Sequence, residues 1–376
     1  MKTMLVLGIM SGTSLDGVDY ALCRIKPNQC ELVDYWKAAF GKDLRHRLSA
    51  AARNEASSYE VGQLHHDLGR FYAQHARDSR GKPDLVGLHG QTIFHSPSRR
   101  NPATFQIGEP AYLVEQLRVP VVSNFRAADL AAGGEGAPLA TIFHVQVFAE
   151  QGKHVCVNNL GGISNVTSID WRDRQRQPRV RAFDTGPGNM LIDLAIRRLS
   201  GGKEGLDRNG AWAKRGKPND KLLSTWLKNR FFLASPPKST GREMFGEKFI
   251  ETAFDQMKRL RLSRFDIVAT LTAFTARSIA LNYRLHLKRL PDTVVLTGGG
   301  AANPVLVDGI KRQITRLHPF LAVHDSRAYG WPRQTVEAAA FALLAYLQEH
   351  RLAGNLPETT GARHGAILGQ VSWPPS

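Results

Sequence analysis

Apolar and polar positions along the chain repeat with two periods. Residues 4–9 are continuously apolar. Beyond a glycine-rich stretch, Val18, Tyr20, Leu22 and Arg24 alternate in side with Asp19, Ala21, Cys23 and Ile25. That pattern predicts strand, turn, strand. Val61, Leu64, Leu68, Phe71 and Tyr72 recur at helical spacing and predict a helix over 59–75. Short strands are expected at 85–88 and 120–123, and a helix at 139–150.

The second half opens as the first does, about 150 residues later. Strands at 155–158 and 165–169 flank a turn at Leu160-Gly161-Gly162, and 181–183 runs into Asp184-Thr185-Gly186-Pro187-Gly188-Asn189 and a helix. Helices follow at 244–260, 266–288 and 334–348, with a strand at 293–296 and a glycine turn at 297–300. Hairpins mixed with helix-separated crossovers predict an α/β chain of two lobes, each a mixed sheet flanked by helices. The N-terminal lobe is assigned to 1–138 completed by 350–376, and the C-terminal lobe to 139–349.

Composition narrows the classes. With 376 residues, two lobes are expected, and 42% hydrophobic with 22% charged residues excludes a disordered chain. The longest apolar run, 338–347, is shorter than the ~20 residues that span a bilayer, and 4–10 makes a poor signal peptide. Three cysteines, Cys23, Cys30 and Cys156, without CxxC spacing argue against a disulfide framework or a zinc ribbon and for a cytoplasmic home. Lys+Arg of 50 against Asp+Glu of 33 gives +17, which favours anionic ligands. The basic stretches 172–181 and 258–264 lack interleaved aromatics, so they read as exposed charge and no nucleic-acid partner is expected.

Three glycine turns carry the candidate chemistry. Gly12, Thr13, Ser14, Leu15, Asp16, Gly17, Val18 and Asp19 form the first, where bare backbone and hydroxyls suit a phosphate. Asp16 and Asp19 are the candidates to hold a metal or its waters, Asp16 foremost. The second contains Gly161, Gly162 and Asn165, and an ordinary tight hairpin explains it equally well. The third, Gly298-Gly299-Gly300 between a strand and a helix, suits a nucleotide or plain helix packing. Asp184 fits either a general base or a helix N-cap. Gln91, Thr92, Arg126 and Asp129 fall at strand ends, where they either line a cleft or close loops. His65-His66-Asp67 lacks a second ligand pair and reads as a solvated helix face.

In order, GIMSGTSLDGVD, HGQT, FR-x-x-D with GG-x-GAPL, N-x-GGI-x-N-V-T, FDTGPGN, LTGGGAANP and EAAAFALLA resemble the anhydro-N-acetylmuramic acid kinases, over 8–369. The wider resemblance is to the actin, Hsp70 and hexokinase superfamily. It implies two ribonuclease-H-like lobes with ATP in a cleft between them, held by two phosphate hairpins and an adenosine loop. It also implies Mg²⁺, a homodimer, and a small-molecule substrate, 1,6-anhydro-N-acetylmuramate. By match, Asp184 activates a water, Gly12 to Asp19 bind phosphates, and Arg126, Asp129 and Glu337 belong to the sugar pocket. The chain departs from the family pattern at Asn124, at Glu135, at Gln334 and Thr335 before Glu337, and at 357–360. Rival expectations are a kinase for another sugar on the same fold, a sugar-sensing ATP-binding regulator, and a silent ATP-binding scaffold.

Overall fold

The computed structural model describes residues 1–375 apart from 13–14, 98–100 and 174–176. The first stretch of chain carries strands β1 (Met4–Ser11), β2 (Gly17–Lys26), β3 (Gln29–Ala39), β4 (Leu85–Ser96), β5 (Ala103–Ile107) and β6 (Val121–Ser123). Its helices are α1 (Lys42–Ala52), α2 (Ser58–Ala76), α3 (Ala111–Leu117), α4 (Phe125–Ala131) and α5 (Thr141–Phe148). The middle stretch holds β7 (His154–Leu160), β8 (Ile163–Asp170), β9 (Arg179–Pro187), β10 (Thr293–Thr297) and β11 (Ala322–Asp325). Its helices are α6 (Met190–Leu199), α7 (Asp220–Trp226), α8 (Arg230–Leu233), α9 (Arg242–Phe245), α10 (Glu247–Arg259), α11 (Arg264–His286) and α12 (Pro304–Thr315). The chain ends with α13 (Thr335–Glu349), α14 (Pro357–Thr360) and β12 (Gln370–Ser372).

Two compact units result: Met1–Val147 with Gly330–Ser376, and Phe148–Tyr329. The expected boundaries at 138/139 and 349/350 therefore move, and α13, expected in the C-terminal lobe, belongs to the first unit. The cause is its sequence. Val336 through Tyr346 is apolar on nearly every side except Glu337, so the helix must be covered all round. It lies on β1, β2 and β4.

The first unit's sheet runs β12-β6-β4-β1-β2-β3, with β5 paired to β4. The second runs β11-β10-β7-β8-β9. Within each, a three-stranded antiparallel meander is extended by two parallel strands reached through helices. The unit therefore recurs as strand order as well as sequence, which is the ribonuclease-H-like arrangement expected of each lobe. Capping boxes at Ser57/Glu60 and Ser263/Asp266 start α2 and α11, and Asn303 with Pro304 starts α12. The α2 stripe of Leu64, Leu68 and Tyr72 packs on the β1–β2 face in one core. The core of the second unit is divided between a phenylalanine-rich cluster around α10 and the face of β7–β10 under α11 and α12. Among the described residues no helix is long and apolar enough to cross a membrane.

Helix α13 reaches its sheet through glycines. A Cβ on Gly87 would stand 2.2 Å from the Phe341 carbonyl oxygen, and one on Gly8 would stand 1.9 Å from that of Ala338. Gly87→Ala must push the helix away, a cost of about 1–3 kcal/mol. Its melting midpoint in scanning calorimetry is expected to fall by several degrees; an unchanged midpoint would mean the contact is slack.

In α6 burial pushes the Asp193 carboxyl up to about 7, with Arg197 pulling it down and Asp207 pushing it further up. Its unfolded value is near the ordinary ~3.9, so the folded state holds this proton more tightly. The associated stability is present at low pH and is lost as pH rises from about 4 through 7. Asp193→Asn is therefore expected to raise the melting midpoint at pH 8 and to change it little at pH 4.5. Equal shifts at both pH values would refute the assignment.

Candidate active site

In the first unit, β1 and β2 form an antiparallel hairpin closed at Ser11 and Val18. The turn is built to be bare. A Cβ on Gly12 would meet open space, whereas one on Gly17 would lie 2.4 Å from the Ala38 carbonyl oxygen. Leu15 adopts a left-handed conformation (φ 54°), its N–H donates to Gly12 O at 3.3 Å, and its side chain packs on the core. Val18 is buried beneath. Thr13 and Ser14 lie outside the described residues.

Strand β3 places two side chains against the hairpin carboxylates. Lys37 Nζ is 2.7 Å from Asp16 Oδ2, and Tyr35 OH donates to Asp19 Oδ1 at 2.6 Å. Burial raises the Asp19 carboxyl above its ordinary value, against the Tyr35 hydrogen bond and the Lys37 charge. Burial works against the Lys37 ammonium too, but Asp16 and Asp19 outweigh it and hold it above its ordinary value.

Strand β4 runs parallel to β1 with Gln91 beside Ser11. Gln91 is buried; its Nε2 donates to Gly12 O and Thr92 O, both at 3.2 Å, and its Oε1 has no partner. Thr92 Oγ1 accepts from Gln106 Nε2 at 3.4 Å. Arg126, in the first turn of α4, donates from Nε and Nη2 to His89 Nε2 at 3.2 and 2.9 Å, and from Nη1 to Gly136 O at 2.6 Å. Burial drives its guanidinium down to about 10, with Glu337 and Asp129 acting in the opposite sense. Asp129 has a different surrounding. It is fully buried, and its carboxylate accepts from Gly136 N, Asn355 Nδ2 and Thr360 Oγ1 at 2.6–2.7 Å. This geometry ties the Gly133–Gly136 turn to the C-terminal segment.

In the second unit, backbone contacts knit the other turns together. Asn189 N donates to Gly161 O at 2.8 Å and Gly188 N to Gly162 O at 2.9 Å. A Cβ on Gly188 would lie 2.2 Å from Gly161 O, one on Gly298 2.3 Å from Asn159 Oδ1, and one on Gly300 2.7 Å from Asn189 Oδ1. Gly298 also has φ +78°, while Gly299 faces open space. The second and third glycine turns and the 186–189 turn therefore form one cluster.

Asp184 lies within β9, in register with Asn165 of β8, at a bulge. It is not the N-cap of α6; that position is Asn189. Instead Asp184 Oδ2 accepts from Thr240 N at 2.8 Å, and Asp184 N donates to Lys238 O at 3.0 Å. The Lys238 ammonium donates to Phe231 O and Phe232 O at 3.0 and 3.2 Å. Burial lowers it to about 8, with Asp184 pulling the other way. Beneath the strand lies a buried polar spine. Asn158 Nδ2 meets Ser164 Oγ, Thr185 Oγ1 donates to Ser164 O, and Asn282 Nδ2 donates to Thr185 O. Tyr283 OH donates to Asn158 Oδ1 at 3.1 Å. Each bond would be costly to leave unmade in a dry interior, so the spine pins the register of the strand that carries Asp184.

A cavity of about 560 Å³ opens in this unit between α11, α12 and the 209–218 segment. Asn209, Lys214, Thr272, Val305, Asp308 and Arg312 are among its lining residues, and Pro304 and Val305 follow closely on the third glycine turn.

The structure thus groups Gly12 and Leu15–Asp19 with Gln91 and Thr92, and Arg126 with Glu337. Separately it groups Asp184 and Asn165 with Gly161, Gly162 and Gly298–Gly300. Sequence reading missed Lys37, Tyr35, Lys238, Thr240 and the role of His89. The aromatic, β-branched run at 32–37 was a usable strand signal; the 236–240 loop has no periodicity and offered none. No described group of three or more His, Cys, Asp or Glu side chains gathers for a metal. Mg²⁺ is commonly held by one or two carboxylates together with phosphates and water. The hairpin carboxylates, already engaged by Lys37 and Tyr35, fit an ion that arrives with a phosphate ligand better than a resident one.

The family model for anhydro-N-acetylmuramic acid kinase matches residues 4–374. An anhydro-N-acetylmuramic acid kinase from a Picosynechococcus species is 39% identical over 99% of this chain and 100% of its own. That from Synechococcus elongatus is 40% identical over 98% and 99%, and that from Bacillus thuringiensis subsp. konkukian 38% over 99% and 100%. With the motifs matched end to end, the chain belongs to the anhydro-N-acetylmuramic acid kinase family.

Proposed function

We propose that this protein opens 1,6-anhydro-N-acetylmuramate with water and phosphorylates its 6-oxygen from ATP, giving N-acetylmuramate 6-phosphate and ADP in cell-wall recycling. The observation that carries the reading is the setting of Asp184: a strand carboxylate oriented by Thr240 N, neighboured by Lys238, on the element that leads into the glycine-turn cluster. Asp184 takes a proton from the attacking water. The water oxygen bonds to the anomeric carbon, the C1–O6 bond breaks, and the freed 6-oxygen attacks the γ-phosphate. The bare backbone at Gly12, with Lys37 at the root of its hairpin, receives phosphate. Arg126 and Glu337 address the sugar, Arg126 through the substrate carboxylate. Gln91 and Thr92 border the phosphate hairpin on the same side. Asp129 holds the turn beneath them. The cavity beside the third glycine turn takes the nucleoside. Mg²⁺, when bound, offsets phosphate charge, and most of the rate comes from positioning and electrostatics.

Asp184→Asn is expected to keep ATP binding and to lower turnover by about 10²–10⁴-fold, the range for a lost general base. Near-normal turnover would sink the assignment. Gly298→Ala places a Cβ on an oxygen and demands a positive φ of an L-residue. It is expected to weaken ATP binding by calorimetry at least tenfold, as a strain of order 1–2 kcal/mol distorts the turn; undiminished affinity would separate the turn from the nucleotide. The decisive test of the reaction is turnover with Mg-ATP in ¹⁸O water. One heavy oxygen at the anomeric position of a 6-phosphorylated product supports coupled hydrolysis. Phosphorylation without it, or transfer to an unbridged amino sugar in preference, identifies an ordinary sugar kinase.

A further inference from the structure

Arg126 is oriented by a neutral ring. His89 is buried, 4% exposed, and its imidazole lies tilted against Phe341 with ring centroids 4.5 Å apart, and Phe341 in turn meets Phe125 at 5.3 Å, next to Arg126 in sequence. His89 Nδ1 lies 2.7 Å from Gly90 O, a carbonyl that can only accept, so Nδ1 carries the proton. Nε2 is then a lone pair, and Arg126 directs Nε–H and one Nη2–H onto it. Every polar atom of the ring is thereby assigned, and the tautomer follows from the bonds. Burial and the adjacent Arg126 charge also keep the ring well below its ordinary protonation range.

A guanidinium offers five N–H donors in a rigid plane. His89 takes two and Gly136 O a third. One N–H on each Nη is left, enough for the two oxygens of a carboxylate. The choice of orienting group matters as much as the geometry. An Asp or Glu at this position would fix the same plane but cancel its charge. A neutral imidazole fixes the plane and takes none of the positive charge that remains beside Glu337 and Asp129, in surroundings where that charge acts through low dielectric.

We propose that His89 is a positioning residue for substrate: held in its Nδ1–H form by Gly90 O, it presents two remaining N–H prongs of Arg126 to the carboxylate of the sugar without adding a further negative charge to those of Glu337 and Asp129. This rests on the reading of Arg126 given above and adds the device that sets its specificity for an acidic sugar. Any neutral acceptor of similar reach should serve, whereas an apolar side chain loses the orientation and an acidic one loses the charge.

The test compares 1,6-anhydro-N-acetylmuramate with its primary amide as ligands of His89→Gln, His89→Leu and His89→Glu, by calorimetric Kd and by kcat and KM. For the acid, Leu and Glu are expected to raise Kd and KM by about 10–100-fold, the scale of a charge-assisted hydrogen bond, with kcat changed less. His89→Gln should stay within about threefold. For the amide, which wild type binds more weakly, the three variants should match wild type. Losses of equal size on acid and amide would show that His89 only packs the interior, and unchanged acid affinity in Leu and Glu would show that it does not act through Arg126; either overturns the proposal. The ¹⁵N shifts of His89 in the unmodified protein give a check that needs no variant. They should report a neutral ring protonated at Nδ1 from pH 6 to 8, and a protonated Nε2 would overturn it. Failure of wild type to bind or turn over the acid would instead defeat the reading of the reaction.

Discussion

Both units are organised by places where backbone must touch backbone. In the first, α13 lies so close to β1 and β4 that Gly8 and Gly87 are the only kind of residue that fits beneath it. In the second, Gly188, Gly298 and Gly300 let three turns meet around Gly161 and Asn159. A methyl group at any of these positions would stand 1.9–2.7 Å from its nearest neighbour, well inside ordinary contact. Because interiors are close-packed, the displacement would travel to the next element rather than be absorbed. In the second unit the bare glycine turns are also the turns that hold the frame together. Across both units the turn glycines are constrained from behind at Gly17, Gly188 and Gly298 and left open in front at Gly12 and Gly299.

That frame lets the first unit bury charge selectively. Asp129 and Arg126 share a short helix, yet they are treated in opposite ways. Asp129 is surrounded by donors that carry no net charge, Gly136 N, Asn355 and Thr360, which satisfy its oxygens and fasten the C-terminal segment. Arg126 is met by neutral acceptors that use only part of its fork. Desolvating an ion costs several kcal/mol unless its hydrogen bonds are made. The carboxylate recovers that cost inside the protein through its hydrogen bonds, and the guanidinium recovers it in part, through three of its five donors and the nearby Glu337 and Asp129 charges.

Much of this was legible in the sequence because it rests on local rules. The β1–β2 hairpin, the helix at 58–76, the crossover to β10 and the second, repeated hairpin follow from periodicity and glycine placement. The repeat about 150 residues apart proved to be a repeated strand order. What escaped was set by tertiary contact. Helix α13 reads as an ordinary apolar helix, and nothing local says which sheet has the glycine gap to receive it. Asp184 precedes Thr185-Gly186 and so resembles an N-cap, but the strand continues through Pro187 because the polar spine below holds it in register. Asp129 has the look of a cleft residue only until Asn355 and Thr360, more than 220 positions away, are seen to close on it.

The repeated strand order also shows where the two units part ways. Each meander ends in a third strand lying antiparallel to the second, and each places a side chain opposite the strand that leaves the glycine turn. In the first unit that strand is β3, and it sets Lys37 across from Asp19. An ammonium between two hairpin carboxylates offsets their charge. In the second unit it is β9, and it sets Asp184 across from Asn165. The residue across the rung is an amide rather than an ammonium, and Thr240 N fixes the carboxylate's orientation through Oδ2. A cation is still near: the Lys238 ammonium, held by Phe231 O and Phe232 O, acts on Asp184 through its charge. One architecture therefore places an ammonium across a rung of the sheet in the first unit and an amide across a comparable rung in the second.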